Sequence, residues 1–197
     1  MSSTPTDARN TSVPKPRLLV FAGPNGSGKT TAIIQTPIVG TYVNADDIKK
    51  DTGCSDLEAA QAAETLRESL LRRRADFTFE TVLSTDRNLD LLRRAKNAGY
   101  EIKSVFVLTA SVSINLARVK ARVARGGHDV PEDKIRARYE RSLANLPVLI
   151  SLSDIVSVFD NTGDYSTEIF AKGLRGEIVS PTVDWSEEQI RRLVSGA

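Results

Sequence analysis

The sequence predicts an α/β fold, a parallel sheet covered by helices on both faces, and two observations carry that expectation. Short apolar runs suited to buried strands alternate with segments of helical period along most of the chain. The first run, Arg17 to Ala22 (RLLVFA), passes directly into Gly23-Pro24-Asn25-Gly26-Ser27-Gly28-Lys29-Thr30, and then into Thr31-Ala32-Ile33-Ile34, the start of a helix. Strand, glycine-rich loop and helix in that order are the context in which a phosphate-binding loop works. Its backbone N–H groups would cradle a β-phosphate with the helix behind them, Lys29 would add charge on the β/γ oxygens, and the Thr30 hydroxyl would complete the shell of a Mg2+ ion.

The remaining elements follow in chain order. Strands are expected at 17–22, 41–44, 77–80, 101–108 and 155–160, five in all. The helix from about Leu57 to Arg74 opens with the capping box Ser55-Asp56-Leu57-Glu58, in which Ser and Glu side chains satisfy each other's orphan amides. Asp86 to Ala98 carries Leu89, Leu92 and Ala95 and stops at Gly99, a good residue for the left-handed C-terminal position. From Ser111 to Arg125, Val112, Leu116, Val119 and Val123 have the spacing of a buried stripe. Pro131 begins the next helix, with Ile135, Tyr139, Leu143 and Leu146 toward the core, and Pro147 is expected to kink or end it. Beyond Tyr165 the pattern is legible only in a final short helix, capped at Ser186-Glu187-Glu188-Gln189.

A chain of 197 residues, 40% hydrophobic, buries one sizeable core. We expect a single domain from 17 to 197 after a disordered leader at 1–16, which is rich in Ser, Thr and Pro and lacks the apolar centre of a signal peptide. The formal charge of +2 is too small to imply nucleic acid, and no apolar stretch approaches the roughly 20 residues that span a bilayer. A single cysteine, Cys54, rules out an internal disulfide framework and fits a cytoplasmic setting.

The second strand ends in Asn44-Ala45-Asp46-Asp47, which brings acids out at the carboxyl end of the sheet, where open α/β sheets bind ligands. One of the two aspartates could accept the proton of an attacking hydroxyl, or cap the helix that follows, and the residues alone do not separate Asp46 from Asp47. Glu80 closes the third strand beside Thr81, placed to serve a metal or a substrate. Glu64 falls on or beside the apolar face of its helix, where it needs a task or a partner such as Arg67. Arg118, Arg122 and Arg125 form a one-sign row in a stretch without acids between Ile102 and His128, and lead into a Gly126-Gly127 hinge. Such a row in a mobile lid over about 118–131 is suited to clamp a transferring phosphoryl group. His128 lies in the hinge and could contact phosphate. Asp160-Asn161-Thr162-Gly163 could form a polar turn over a nucleotide base, with Asn161 and Thr162 as its contacts.

These pieces in this order resemble the zeta toxin family, in particular its compact bacterial members. The matching stretches are GPNGSGKTT at 23–31, NADDI at 44–48, FTFETVLS at 77–84, ARVKARVARGGHDVP at 117–131, RYERSLANL at 138–146 and DNTG at 160–163. The resemblance implies a P-loop kinase-type three-layer fold with a helical lid. It also implies ATP- and Mg2+-dependent phosphorylation of a sugar hydroxyl on a nucleotide sugar, UDP-N-acetylglucosamine being the best-known substrate. It makes Asp46 the catalytic base, puts Glu64 and Glu80 near the substrate, and brings Arg118, Arg122 and Arg125 to phosphates. It leaves room for a separate antitoxin protein. The chain lacks anything similar to the long C-terminal extension of the larger toxins, so acceptor and toxicity do not follow from it. A kinase for another metabolite or nucleotide, or a non-catalytic ATP-dependent switch, stays open beside the nucleotide-sugar reading.

Overall fold

The computed structural model describes residues 14–127 and 129–196. Most of the leader expected at 1–16 and the candidate His128 therefore lie outside the described residues. The Pro16 carbonyl accepts a hydrogen bond from the Glu101 amide at 2.9 Å, so the domain's pairing begins a residue before 17.

Five strands form the predicted parallel array: β1 (Arg17–Ala22), β2 (Thr41–Val43), β3 (Phe77–Thr81), β4 (Glu101–Leu108) and β5 (Ile155–Asp160). The sheet has seven strands rather than five, because β6 (Thr167–Gly173) and β7 (Gly176–Val179) add an antiparallel hairpin, giving the order β2-β3-β1-β4-β5-β6-β7. Residues Glu177 and Ile178 of β7 are exposed, so that edge strand lacks the continuous apolar run that marks the central strands. Its turn closes through Gly176 at φ 110°, which a side chain would strain.

Helices cover both faces. On the larger face Leu18, Val20, Phe77 and Phe79 pack with Leu70 of α3 (Asp56–Arg72), Leu92 of α4 (Asp86–Asn97), Leu149 of α7 (Leu146–Leu152) and Ile190 of α8 (Glu187–Ser195). On the other face Leu19, Phe21, Val105 and Val107 lie under Ala32 and Ile33 of α1 (Lys29–Gln35). Each fully buried aromatic or branched side chain contributes about 1.5–3 kcal/mol, so the larger cluster dominates stability.

Both capping boxes form, Ser55 with Glu58 and Ser186 with Gln189. Leu89, Leu92 and Ala95 are buried, and Gly99 takes φ 80° at the end of α4. On α5 (Val112–Val123), which precedes α6 (Glu132–Ala144), the expected stripe is corrected: of Val112, Leu116, Val119 and Val123 only Val119 is buried, while Asn115 is fully buried. Helix α5 lies against polar backbone of the glycine-rich loop, so its inner face carries an amide where a sheet-facing helix would carry an aliphatic group. Pro147 neither kinks nor ends α6; that helix ends at Ala144, and Pro147 sits in the first turn of α7, where a missing N–H costs nothing.

Candidate functional site

At the carboxyl end of the parallel strands a cleft of about 820 Å3 is lined by the glycine-rich loop, by α2 (Ala45–Thr52), by α3, by the tip of β3, by α5, by 129–131 and by α6. The loop is shaped by its glycines. A Cβ on Gly23 would stand 2.1 Å from the Val107 carbonyl oxygen, and one on Gly28 2.0 Å from the Asn161 amide nitrogen, with φ at 142° and 96°. Neighbouring amides hold the loop's carbonyls: Asn115 Nδ2 donates to Asn25 O at 2.6 Å and Asn161 Nδ2 to Ser27 O at 2.8 Å. The Asn25, Gly26 and Gly28 amides donate to no group among the described residues. Ser27 Oγ is buried and also without a partner. Carbonyls engaged and donors unengaged is the polarity an anion-binding loop requires.

Lys29 is 7% exposed, and its Nζ donates to Gly23 O at 2.8 Å and Pro24 O at 3.1 Å. Glu80 Oε1 is 3.6 Å away. Burial pushes the lysine well below its ordinary pKa, and the Glu80 carboxylate works against that shift. The other Glu80 oxygen lies 3.5 Å from Asn44 Nδ2, which also donates to the Tyr42 hydroxyl at 3.1 Å. Burial pushes that phenol up to about 12.

Neither Asp46 nor Asp47 caps α2. Asn44 does so, its Oδ1 accepting from the Asp46 amide at 2.8 Å, which leaves the Asp46 carboxylate on the cleft wall while Asp47 is off it. Thr30, Glu80 and Thr81 line the same cleft. The Thr81 hydroxyl already accepts from the Leu83 amide at 2.9 Å and Asn88 Nδ2 at 2.7 Å. From α5, Arg118 and Arg122 reach the cleft, and Arg118 donates through Nη2 to Thr162 O at 3.3 Å while its buried Nη1 has no partner.

Besides Gly23, Pro24 and Ser27 of the loop itself, five expected positions stand apart from the lining. Arg125, past the end of α5, is exposed. Thr31 is exposed on the outer side of α1. Glu64 pairs with Arg87 of α4 at 2.8 Å. Asn161 and Thr162 brace the loop: the Thr162 hydroxyl donates to Asp160 and accepts from the Ala110 amide at 2.8 Å, so their polar groups are engaged with protein. The structure adds residues that sequence reasoning did not single out as site members. Asn115 is visible in retrospect as the one amide between Val112 and Val119 on a stripe of aliphatics. Arg138, from the RYERSL stretch, lines the cleft with Nη1 3.4 Å from Asn25 Oδ1. Arg67 lines it from α3.

Among the described residues no group of three or more His, Cys, Asp or Glu gathers as a metal cage. Mg2+ in phosphoryl-transfer sites takes one or two protein oxygens together with phosphates and water, and Thr30 and Glu80 on one wall fit that donor set. No helix among the described residues is long and apolar enough to cross a membrane.

A model of the zeta toxin family matches residues 42–170, nearly two thirds of the chain, and begins after the glycine-rich loop. An uncharacterized protein of Haemophilus influenzae is 29% identical over 129 residues, 62% of this chain and 92% of its own length. Among solved structures, the AvrRxo1-ORF1:AvrRxo1-ORF2 complex with ATP aligns at TM-score 0.69 and 15% identity over 92% of this chain and 64% of that one. The PezAT chromosomal toxin–antitoxin system of Streptococcus pneumoniae aligns at TM-score 0.56 and 16% identity, covering 96% of this chain and 83% of that one. The chain thus spans 64% of the length of the chain it matches in the AvrRxo1 complex, and at these identities the likeness is one of fold.

Proposed function

The chain belongs to the zeta toxin family, and we propose that it is an ATP-dependent kinase that phosphorylates a sugar hydroxyl of a nucleotide sugar such as UDP-N-acetylglucosamine. The observation that carries this reading is the convergence of Lys29, Asp46, Glu80, Arg118 and Arg122 on one cleft. A phosphate loop alone would suit any nucleotide binder. A carboxylate facing that loop, with guanidinium groups beside it, is the arrangement of a transfer site.

In this reading the Asn25, Gly26 and Gly28 amides and Lys29 hold the β- and γ-phosphates of ATP. Lys29 leaves the Gly23 and Pro24 carbonyls to do so. Thr30 and Glu80 would hold Mg2+, which when bound would neutralise charge on the phosphate oxygens. Asp46 accepts the proton of the acceptor hydroxyl as its oxygen attacks the γ-phosphorus and the bond to the bridging oxygen of ADP breaks. Arg118 and Arg122 stabilise the charge on the transferring group, and Arg118 Nη1, buried without a partner, is available to it. Arg125, Glu64, Thr81 and the hinge around His128 are assigned to contacts made with substrates bound. The ATP of the AvrRxo1 complex and the toxin–antitoxin pairing of PezAT, each a property of those proteins, support ATP as donor and a separate antitoxin as partner here.

The test is incubation of the protein with ATP, Mg2+ and a panel of UDP-sugars, with mass analysis for a product heavier by one phosphoryl group. Asp46→Asn should abolish transfer, a loss of about 100-fold or more, with ATP affinity nearly unchanged. Loss of ATP binding in that variant would make Asp46 a nucleotide or metal residue. ADP release without any phosphorylated UDP-sugar would sink the acceptor assignment.

A further inference from the structure

Arg67 lines the cleft from α3 without an anion of its own. Two acids of its helix, Glu64 and Glu68, are close in sequence but engaged across the helix pair: Glu64 with Arg87 at 2.8 Å, and Glu68 with Arg94 through bonds of 2.5 and 2.7 Å. The Arg67 guanidinium lies over the Phe79 ring, 5.2 Å from its centroid, and no carboxylate stands within ion-pair distance of it among the described residues. Stacking satisfies the face of the guanidinium and leaves its edge N–H donors, whose fork matches an oxyanion. Burial also pulls the group below its ordinary pKa, with the Glu64 and Glu68 carboxylates opposing that shift only in part and Arg87 adding to it.

Strand order places this cation. The loop follows β1, which is flanked by β3 with Glu80 and by β4 that leads into the lid, whereas α3 connects β2 to β3. Arg118 and Arg122 therefore approach from the β4 side, and Arg67 belongs to the side of Asp46 and Glu80, where an acceptor would lie.

We propose that Arg67 binds an oxyanion carried by the acceptor, so that the compound phosphorylated bears a phosphate, diphosphate or carboxylate and is not a neutral polyol. The proposal rests on the kinase reading above, and it narrows the acceptor by charge. To test it, protein saturated with Mg2+ and the non-hydrolysable analogue AMP-PNP, which fills the phosphate loop, is titrated calorimetrically with inorganic pyrophosphate and, separately, malonate.

One of the two should bind, and its identity distinguishes a phosphoryl from a carboxylate group. Arg67→Gln should weaken that binding about tenfold or more, Arg67→Lys should restore part of it, and AMP-PNP affinity should stay within about twofold, since Arg67 lies outside the loop. Equal affinity in wild type and Arg67→Gln, or no binding of either anion to the wild type, overturns the proposal. Should Arg67→Gln not fold, phenylglyoxal labelling of the wild-type complex reads the same contact: the anion should protect Arg67, and unchanged labelling overturns it. Intact anion binding with no phosphorylation of any UDP-sugar would sink the sugar assignment and leave the Arg67 site standing, whereas failure of AMP-PNP to bind would remove both.

Discussion

Lys29 is held at 7% exposure against two carbonyls and one carboxylate, which is a poor substitute for water around an ammonium group. Burial lowers its hold on the proton, so the unfolded chain binds that proton more tightly than the folded one. Below the folded pKa the mismatch opposes folding by its full amount. The opposition fades as pH rises from there toward the ordinary lysine value of 10.5, where the unfolded chain also loses the proton. Lys29→Met, without nucleotide, should therefore be more stable than wild type by roughly 1 kcal/mol at neutral pH, because Glu80 at 24% side-chain exposure can turn to water when its partner is gone. Urea denaturation across pH 7 to about 10 checks the sign, since the gain should shrink with rising pH. The same variant should lose ATP binding. A Met variant less stable than wild type would mean that the Glu80 pair outweighs desolvation.

Helix α5 shows how an element can be foreseen and its packing still misjudged. Its period is helical, but period does not say what the inner face meets, and here it meets the loop through Asn115, whose Nδ2 donates to Asn25 O while its Oδ1 accepts from the Thr109 hydroxyl. Asn115→Ala leaves the Asn25 carbonyl and the Thr109 hydroxyl short of a partner in a buried place, and should cost about 1–3 kcal/mol. Because the lost bond fixes the loop, ATP affinity should fall as well, whereas Val119→Ala on the same face should cost stability with less effect on ATP. Parallel urea and ATP titrations separate the two, and equal loss of ATP affinity would deny Asn115 its positioning role. The strands at 17–22, 101–108 and 155–160 match their predicted bounds, because Leu18 to Ala22 and Val105 to Leu108 are unbroken apolar runs buried on both faces and Ile155 to Asp160 buries every second residue. That acids follow β2 and end β3 beside the loop was legible because motifs fix their place relative to strand ends, whereas the choice of Asp46 over Asp47 came from the family resemblance. Glu64 was not, since its partner Arg87 lies 23 residues away and is set by how α3 meets α4.

At the scale of the whole molecule, two regions outside the family match have opposite meaning. The loop at 23–30 precedes the matched residues 42–170 yet completes the cleft, while the β7–α8 tail follows them and stands away from it. The tail is nonetheless core. Ile190 of α8 is fully buried in the larger cluster, with Trp185, Leu193 and Val194 packed around it. Ile190→Ala should cost about 2–5 kcal/mol and lower the melting temperature by roughly 5–15 °C, with the ATP affinity of the folded protein unchanged because α8 does not line the cleft. Deletion of residues 174–197 removes that side chain and its neighbours together, and uncovers Ile169 and Phe170 of β6, at 0% and 1% exposure. The summed loss rivals the 5–15 kcal/mol that holds a domain of ordinary stability together. The truncated chain should therefore show no cooperative thermal transition. Melting within a few degrees of the full chain would mean that residues up to Gly173 fold on their own, and that the tail is an appendage to the core of the domain.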